Sequence, residues 1–241
     1  MGQLGTTYCD RCARGGPAVR QDHYVSPWIS IQGDDRRALV PSVSANFSFA
    51  DQGRSEMVEV TPQLDLKVST RFTTSLSTTF NRNRNDIQYF GTFADTDGEL
   101  HYTFAHLEQR TLSFTWRLGY TFTPNTSLQV YASPFVSKGT YSDVRELDEP
   151  RAEAYDDRYR PYGDPDVAAD PGGFNFQQFR SNVVFRWEYR PGSTLFLVWS
   201  QGREDTAPVE GNGSFRDDLG DLFGRRANDS FLVKVSYWLA R

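Results

Sequence analysis

Strict alternation of apolar and polar residues is the feature that most constrains the fold of this chain. Between positions 112 and 122 every even position is apolar: Leu112, Phe114, Trp116, Leu118, Tyr120 and Phe122. The residues between them are Ser, Thr, Arg and Gly. Because successive side chains of a β-strand point to opposite faces, this segment predicts a strand with one apolar and one polar face. No segment of useful length shows the helical period of about 3.6 residues.

The same alternation predicts about eleven strands. They cover 26–32, 38–50, 57–69, 72–82, 86–94, 99–107, 110–123, 126–138, 174–190, 193–203 and 229–241. Several are longer than the 5–6 residues usual in soluble proteins and reach the 9–11 residues or so of a membrane-spanning strand. We therefore expect an all-β fold, an antiparallel up-and-down transmembrane β-barrel with about 11–12 visible strands.

The connections between the predicted strands alternate in length near the C-terminus. Segments 139–173 and 204–228 are long, whereas 123–126 and 190–193 are short. Outer-membrane barrels have short periplasmic turns and long outer loops, so this pattern supports the barrel. It assigns the turns near Thr70 and at 96–98 to the periplasmic side.

Composition is compatible with this class and excludes others. The mean hydropathy of -0.60 and the lack of a long apolar run argue against a transmembrane helix, which needs about 20 apolar residues. A net charge of -5 without a basic stretch argues against a nucleic-acid partner. The aromatic content of 15 % suits the interfacial girdles of a barrel, for which the candidates are Trp28, Trp116, Trp187, Trp199 and Trp238. In a soluble sandwich the same rings would form the core.

The strand count suggests that the barrel extends beyond this sequence. Bacterial single-chain barrels have even strand counts, and unpaired edges are costly in lipid. We therefore expect either a further strand within residues 1–25 or strands upstream of Met1, where a signal peptide would also lie. The predicted division is an N-terminal segment 1–25, acting as plug, linker or end of an upstream region, and a barrel domain 26–241.

Charged residues on the polar faces are the candidates for the barrel interior. They are Arg117, Arg180, Arg186, Glu188 and Arg190. Such an interior is either paired with itself or lines a narrow conducting path. The segment 138–173 carries 10 acidic and 5 basic residues. We read its acidic part, 143–170, as a solvated outer loop, with a Ca²⁺ or polysaccharide contact as the alternative.

Two other features admit several chemical readings. Cys9 and Cys12 form a single C-x-x-C pair, which is a candidate disulfide or a pair of inert thiols, a partial metal site, or a redox pair. His101 and His106 lie near Glu99 and Glu108, but no catalytic motif accompanies them. We assign no catalysis, no metal and no cofactor, and an outer-membrane hydrolase ranks third among the functional hypotheses.

Three blocks of sequence resemble a known family. They are the run from Leu107 to Leu147, the run FRSNVVFRWEYRPGSTLFLVWSQGRED, and NDSFLVKVSYW, and the segments CARGGPAVR and GDDRRALV are also similar. The family is an uncharacterised bacterial one in which a carbohydrate-binding-module-like domain precedes a predicted outer-membrane β-barrel. The resemblance covers about residues 9–238 and implies the barrel domain of such a protein, with no established activity or catalytic residues.

The expected function is that of a membrane-embedded C-terminal part of a porin-like outer-membrane protein of Gram-negative bacteria. It would serve as a surface anchor or as a passage for a glycan-related ligand. The expected partners are the lipid bilayer, the outer-membrane assembly machinery, and a polysaccharide or oligosaccharide. The alternative is a soluble, secreted β-sandwich that binds carbohydrate or protein.

Overall fold

A single antiparallel sheet of consecutive strands dominates the structure, a computed structural model that describes residues 2, 3, 5–164, 167, 170–207 and 214–239. Eight long strands pair in sequence order. They are β6 (Leu39–Ala50), β7 (Ser55–Lys67), β8 (Phe72–Ala94), β9 (Leu100–Thr123), β10 (Thr126–Leu147), β12 (Gly173–Arg190), β13 (Ser193–Ala207) and β14 (Asn228–Ser236). The prediction of an all-β, antiparallel fold is therefore confirmed.

Six short strands complete the set among the described residues. They are β1 (Gly2–Gln3), β2 (Thr7–Cys9), β3 (Val19–Gln21), β4 (Tyr24–Val25), β5 (Trp28–Gln32) and β11 (Tyr159–Pro161). β2 and β3 form a separate two-stranded sheet, β5 pairs with β6, and β11 pairs with β10. Within the described part of the chain no ladder joins β14 to the β5–β6 edge, so these residues form an open sheet rather than a closed barrel.

The strand count differs from the prediction because two predicted breaks do not occur. β8 has 23 residues and β9 has 24, and each runs through a polar segment that we expected to be a turn. The polar side chains have cross-strand partners: Asn83 donates a hydrogen bond to Gln109 (3.3 Å), and Arg84 lies between two glutamates. The eleven predicted strands thus correspond to nine, β5 and the eight long strands, and the other five short strands in the described part of the chain were not predicted.

The merged strands also change which connections share an end of the sheet. The turn Asp95–Gly98 joins β8 to β9 at the end that carries the long connections after β10 and β13, which we call the loop end. The prediction that 96–98 lies with the short turns is wrong. The opposite, turn end carries the connections at 68–71, 124–125 and 191–192. The two long connections begin later than predicted, after Leu147 and Ala207.

Most of the buried side chains lie at the loop end. The tip of the β8–β9 hairpin packs there against the β2–β3 hairpin and the segment 148–161. The buried apolar residues of this cluster are Ala13, Val19, Phe104, Tyr155 and Tyr159. Along the rest of the sheet the two faces differ, as the alternation in the sequence predicts. Among the described residues, no helix combines the length and the hydropathy needed to cross a bilayer.

Candidate functional site

One face of the sheet carries a continuous exposed band of apolar side chains, which we call the apolar band. Leu76 on β8 is 50 % exposed, and Phe231 on β14 is 78 % exposed. The cross-strand pairs Leu76–Trp116, Val130–Val183 and Leu197–Val233 carry the band across the sheet. Isolated exposed apolar residues need no explanation, but a contiguous apolar surface of this size marks a site of association.

The apolar band crosses the sheet obliquely. On β6 its loop-end limit, Phe49, is level in the register with Arg84 of β8. On β14 its limit, Phe231, is level with Thr74 of β8. Measured by the register on β8, the loop-end limit of the band therefore moves ten residues toward the turn end, from the level of Arg84 to that of Thr74. This shift occurs over the seven strand-to-strand steps from β6 to β14. With about 3.3 Å per residue and about 4.8 Å between strands, the band is inclined by about 45° to the strands.

Aromatic rings concentrate at both limits of the apolar band. At the turn end Tyr120 packs edge-on against Phe122 (ring centroids 4.7 Å apart), and Trp187 packs against Tyr189. At the loop end Trp199 stacks on Phe231, and its indole N–H donates to Asp229 (2.8 Å). An aromatic ring with its polar atom directed away from an apolar surface is typical of an interface between apolar and aqueous phases.

The predicted girdle tryptophans occupy different heights. Trp187 and Trp199 lie at the turn-end and loop-end limits of the band. Trp116 lies in the middle of the band on β9, where its indole N–H donates to the Thr74 hydroxyl (2.9 Å). Trp28 is in register with Asn46, whose side chain belongs to the polar face, and Trp238 packs against the Gly192 turn. All five are exposed.

The opposite, polar face lines a cavity of about 560 Å³. Its walls include Arg117, Gln129, Tyr131 and Asn182 from β9, β10 and β12. The Arg117 guanidinium lies over the Tyr131 ring at 5.6 Å. Because residues from β6 to β12 line one cavity, the sheet curves around this face.

The other predicted interior charges do not form one cluster. Arg186 pairs with Glu188 (3.0 Å), which also accepts a hydrogen bond from the backbone N–H of Gly192 (3.0 Å). Arg190 lies at the turn end, where it donates to the Tyr237 hydroxyl (2.6 Å). Arg180 is exposed on β12, in register with Ser133. Arg117 is therefore the predicted residue that lines the cavity.

A buried polar network at the loop end was missed by sequence reasoning. The Asp86 carboxylate accepts hydrogen bonds from Tyr155 (2.6 Å) and contacts His106 (2.9 Å), and it pairs with Arg145 (3.3 Å). Burial alone would raise the pKa of Asp86, but these hydrogen bonds and the Arg145 charge outweigh it and lower the pKa. The partners of Asp86 are 20 to 69 positions away from it in the sequence, so no local motif predicts the network.

The N-terminal segment belongs to this loop-end cluster. Cys9 and Cys12 are joined by a disulfide, with their Cα atoms 5.6 Å apart. The buried Arg158 guanidinium holds Asp22 through two hydrogen bonds (3.2 and 3.0 Å). The described part of segment 1–25 therefore packs against the loop end and does not line the polar cavity.

Several acidic residues at the end of β10 and in the segment that follows it form ion pairs. Asp143 pairs with Arg145, Asp156 with Arg54, and Glu146 with Arg160. Among the described residues, no group of three or more His, Cys, Asp or Glu side chains could hold a metal ion. The geometry at 143–164 is that of a folded, ion-paired loop.

His101 on β9 is a titratable group in contact with two acidic side chains at the loop end. Its Nδ1 contacts Glu146, and its Nε2 lies 3.6 Å from Asp95. The hydrogen bond with Glu146 raises the pKa of His101 against the opposing effect of burial. The pKa of Glu146 is lowered, because bonds from His101 and Arg160 outweigh its burial.

We expect the contact between β9 and β10 at His101 to be strongest between about pH 4.3 and 6.5. A raised histidine pKa stabilises the fold fully below about 6.5, and this contribution is lost as the pH rises through the folded value. A lowered glutamate pKa acts above about 4.3 and is lost as the pH falls through its folded value. Amide protection factors of residues 145–147 and of Tyr159 and Arg160, followed across this range, measure the effect. His101→Gln should abolish the loss of protection above pH 6.5, and equal loss in both proteins would contradict the assignment.

The fold and its surfaces define a class: an antiparallel up-and-down β-sheet protein with an exposed, inclined apolar band on one face and a polar cavity on the other. Residues 7–240 match the model of a family described as a domain of unknown function, DUF5916, and the chain belongs to that family. Comparison with curated proteins finds no match, and comparison with solved structures finds none.

Proposed function

We propose that this chain is the membrane-embedded wall of a β-barrel in a bacterial outer membrane. The apolar band would face lipid, the polar face would face the barrel interior, and the loop end would face the outside of the cell. The observation that carries the proposal is the inclination of the band. Strands of membrane barrels tilt by about 35–45°, so a horizontal lipid layer would meet them as an apolar band inclined by that angle.

The height of the apolar band supports the same proposal. On β9 it covers positions 112–122 and on β12 positions 179–189, which is eleven residues on each strand. At about 3.3 Å per residue and a tilt of about 45°, eleven residues rise about 25 Å. That is the height of the lipid-facing band of outer-membrane barrels.

The polar face suits a glycan-related ligand or passage. Amide groups of Gln129 and Asn182 line the cavity together with the Tyr131 ring and the Arg117 guanidinium. Amides and guanidinium groups hydrogen-bond hydroxyls, and an aromatic ring offers a stacking surface for a sugar. We propose no catalytic step. In the described loop-end network the His106 and His101 imidazoles contact the carboxylates of Asp86 and Glu146.

The alternative, a soluble β-sandwich that binds carbohydrate or protein, has one observation in its favour. Near the β14 edge the polar face also carries apolar side chains, at Val184, Val198 and Leu232. A sandwich, however, buries its apolar face under a second sheet. In the described residues the second sheet is the two-stranded β2–β3 hairpin, and its Val19 packs in the loop-end cluster.

Heat-modifiability tests the barrel directly. We expect the urea-unfolded chain to fold in phosphatidylcholine vesicles into a protease-resistant species whose unboiled sample migrates differently from the boiled one on a gel. The same chain diluted into buffer without lipid is the control, and we expect it to aggregate, because the apolar band would then face water. A folded, monomeric protein in buffer alone would overturn the membrane proposal and favour the sandwich.

A further inference from the structure

Three neighbouring strands each carry a basic residue on the face of the apolar band, at the first position beyond the band toward the loop end. On this face the apolar residues nearest the loop end are Phe80 on β8, Leu112 on β9 and Val136 on β10. Phe80 is exposed, whereas Leu112 and Val136 are buried. Two residues further along, on the same face, stand Arg82, Arg110 and Lys138. Arg82 is the cross-strand partner of Arg110, and Arg110 is the partner of Lys138. The three cations therefore form one row across the sheet.

The row is only partly neutralised within the chain. Lys138 pairs with Asp218 of the helix Phe215–Gly224 (2.5 Å). One step further from the band, Arg84 lies between Glu56 (3.7 Å) and Glu108 (3.8 Å) and engages both carboxylates.

The two arginines of the row differ from these neighbours. Arg82 and Arg110 are exposed, and in the part of the chain that the structure describes no carboxylate lies within 4.0 Å of either guanidinium. Like charges placed directly opposite each other on adjacent strands destabilise a sheet. An anion between the two guanidinium groups would remove this repulsion.

The chemistry of the pair selects a phosphate group. A guanidinium presents its N–H donors in a planar fork that matches phosphate oxygens, and two forks on one face can hold one group from both sides. The position of the two arginines relative to the apolar band indicates that the phosphate belongs to a lipid. Arg82 and Arg110 lie immediately beyond Phe80 and Leu112, which is the level of lipid headgroups if the apolar band lies in the hydrocarbon layer.

We infer that Arg82 and Arg110 form a binding site for the phosphate of an anionic membrane lipid, in the leaflet at the loop end. The inference rests on the proposed function, because it needs the apolar band to lie in lipid. It goes beyond that function in naming a lipid class and the two residues that select it. The site would anchor the wall at a fixed height and would neutralise Arg82 and Arg110, the two cations of the row that have no carboxylate within 4.0 Å among the described residues.

The test compares two double variants of the full chain folded in neutral detergent micelles. Phosphatidic acid is added as the probe, phosphatidylcholine serves as the uncharged reference, and retained lipid is counted by native mass spectrometry. Arg82→Gln/Arg110→Gln should weaken retention of phosphatidic acid about tenfold or more and leave phosphatidylcholine unchanged. Arg117→Gln/Arg180→Gln removes the same charge from the polar face and should retain phosphatidic acid like the unmodified chain.

Two further readouts separate the possible failures. Millimolar inorganic phosphate should leave the lipid bound, and complete displacement would show a general anion site and overturn the lipid assignment. Equal losses in both double variants, or no preference for phosphatidic acid, would also overturn it. Protease protection in pure phosphatidylcholine vesicles reports insertion independently. Insertion without a lipid preference would reject this site alone, whereas failure to insert would reject the proposed function and this site together.

Discussion

Leu76→Arg is expected to destabilise the chain in lipid vesicles by about 2–4 kcal/mol. Leu76 lies in the middle of the apolar band on β8, and its side chain is half exposed. A charge on the lipid face of a barrel costs this much at the midplane of the bilayer. Urea unfolding in phosphatidylcholine vesicles, followed by tryptophan fluorescence, measures the change in the free energy of unfolding.

Two matched variants make this result specific to lipid. Ser77→Arg places the same charge one residue away on the polar face, where we expect less than about 1 kcal/mol. Phe80→Arg places it at the limit of the band, where the cost in a bilayer falls to about 0–1 kcal/mol. A face covered by another protein layer would not distinguish Phe80 from Leu76 in this way, since both are about half exposed on the same strand. Equal costs at the two positions would therefore contradict a lipid-facing band.

The strand pattern was predictable because its cause is local. Alternation such as Leu112 to Phe122 follows from the geometry of one strand, and the short turns at 124–125 and 191–192 carry Pro and Gly signals. The continuity of β8 was not predictable, because it depends on partners in other strands. Arg84 and Asn83 look like turn residues until Glu56, Glu108 and Gln109 are placed beside them. The end of the sheet predicted for the 95–98 turn was wrong for the same reason, because the merged strands place this turn at the loop end.

For the candidate sites, too, features set within one strand were predictable and features set by strand pairing were not. In the structure Arg117 and Arg186 lie on the face opposite Trp116 and Trp187, which alternation predicts because it requires only the period of a strand. It could not reveal that Arg82 and Arg110 are cross-strand partners, because their meeting depends on the register of β8 against β9. A search for charges at the first polar position after each alternating apolar run would have found both residues, although not their pairing.

Arg158→Met is expected to detach the N-terminal segment from the loop end. Arg158 is 2 % exposed, and besides its two bonds to Asp22 it donates to the carbonyls of Ala152 (2.9 Å) and Glu153 (2.9 Å). Removing one partner of a buried ion pair costs about 3–5 kcal/mol where the other charge is left uncompensated. Asp22 would keep its longer contact with Arg20 (3.7 Å), so we expect a loss at the lower end of that range. Amide exchange of residues 7–21 and 150–161 should accelerate to match that loss.

The control and a rescue variant decide whether the buried charge is the cause. Arg151→Met removes an exposed guanidinium of the same segment that packs over the Tyr8 ring, and we expect it to cost less than about 1 kcal/mol. Asp22→Asn combined with Arg158→Met removes both charges and should restore part of the protection, because the carboxylate left without Arg158 is then absent. The loss of amide protection in the double variant is compared with the sum of the losses in Arg158→Met and Asp22→Asn. If the two are equal, Arg158 acts through packing against Tyr155 and not through Asp22. Loss of the loop-end cluster with an intact apolar band would then show that the β2–β3 hairpin and segment 148–161 dock onto a sheet that folds without them.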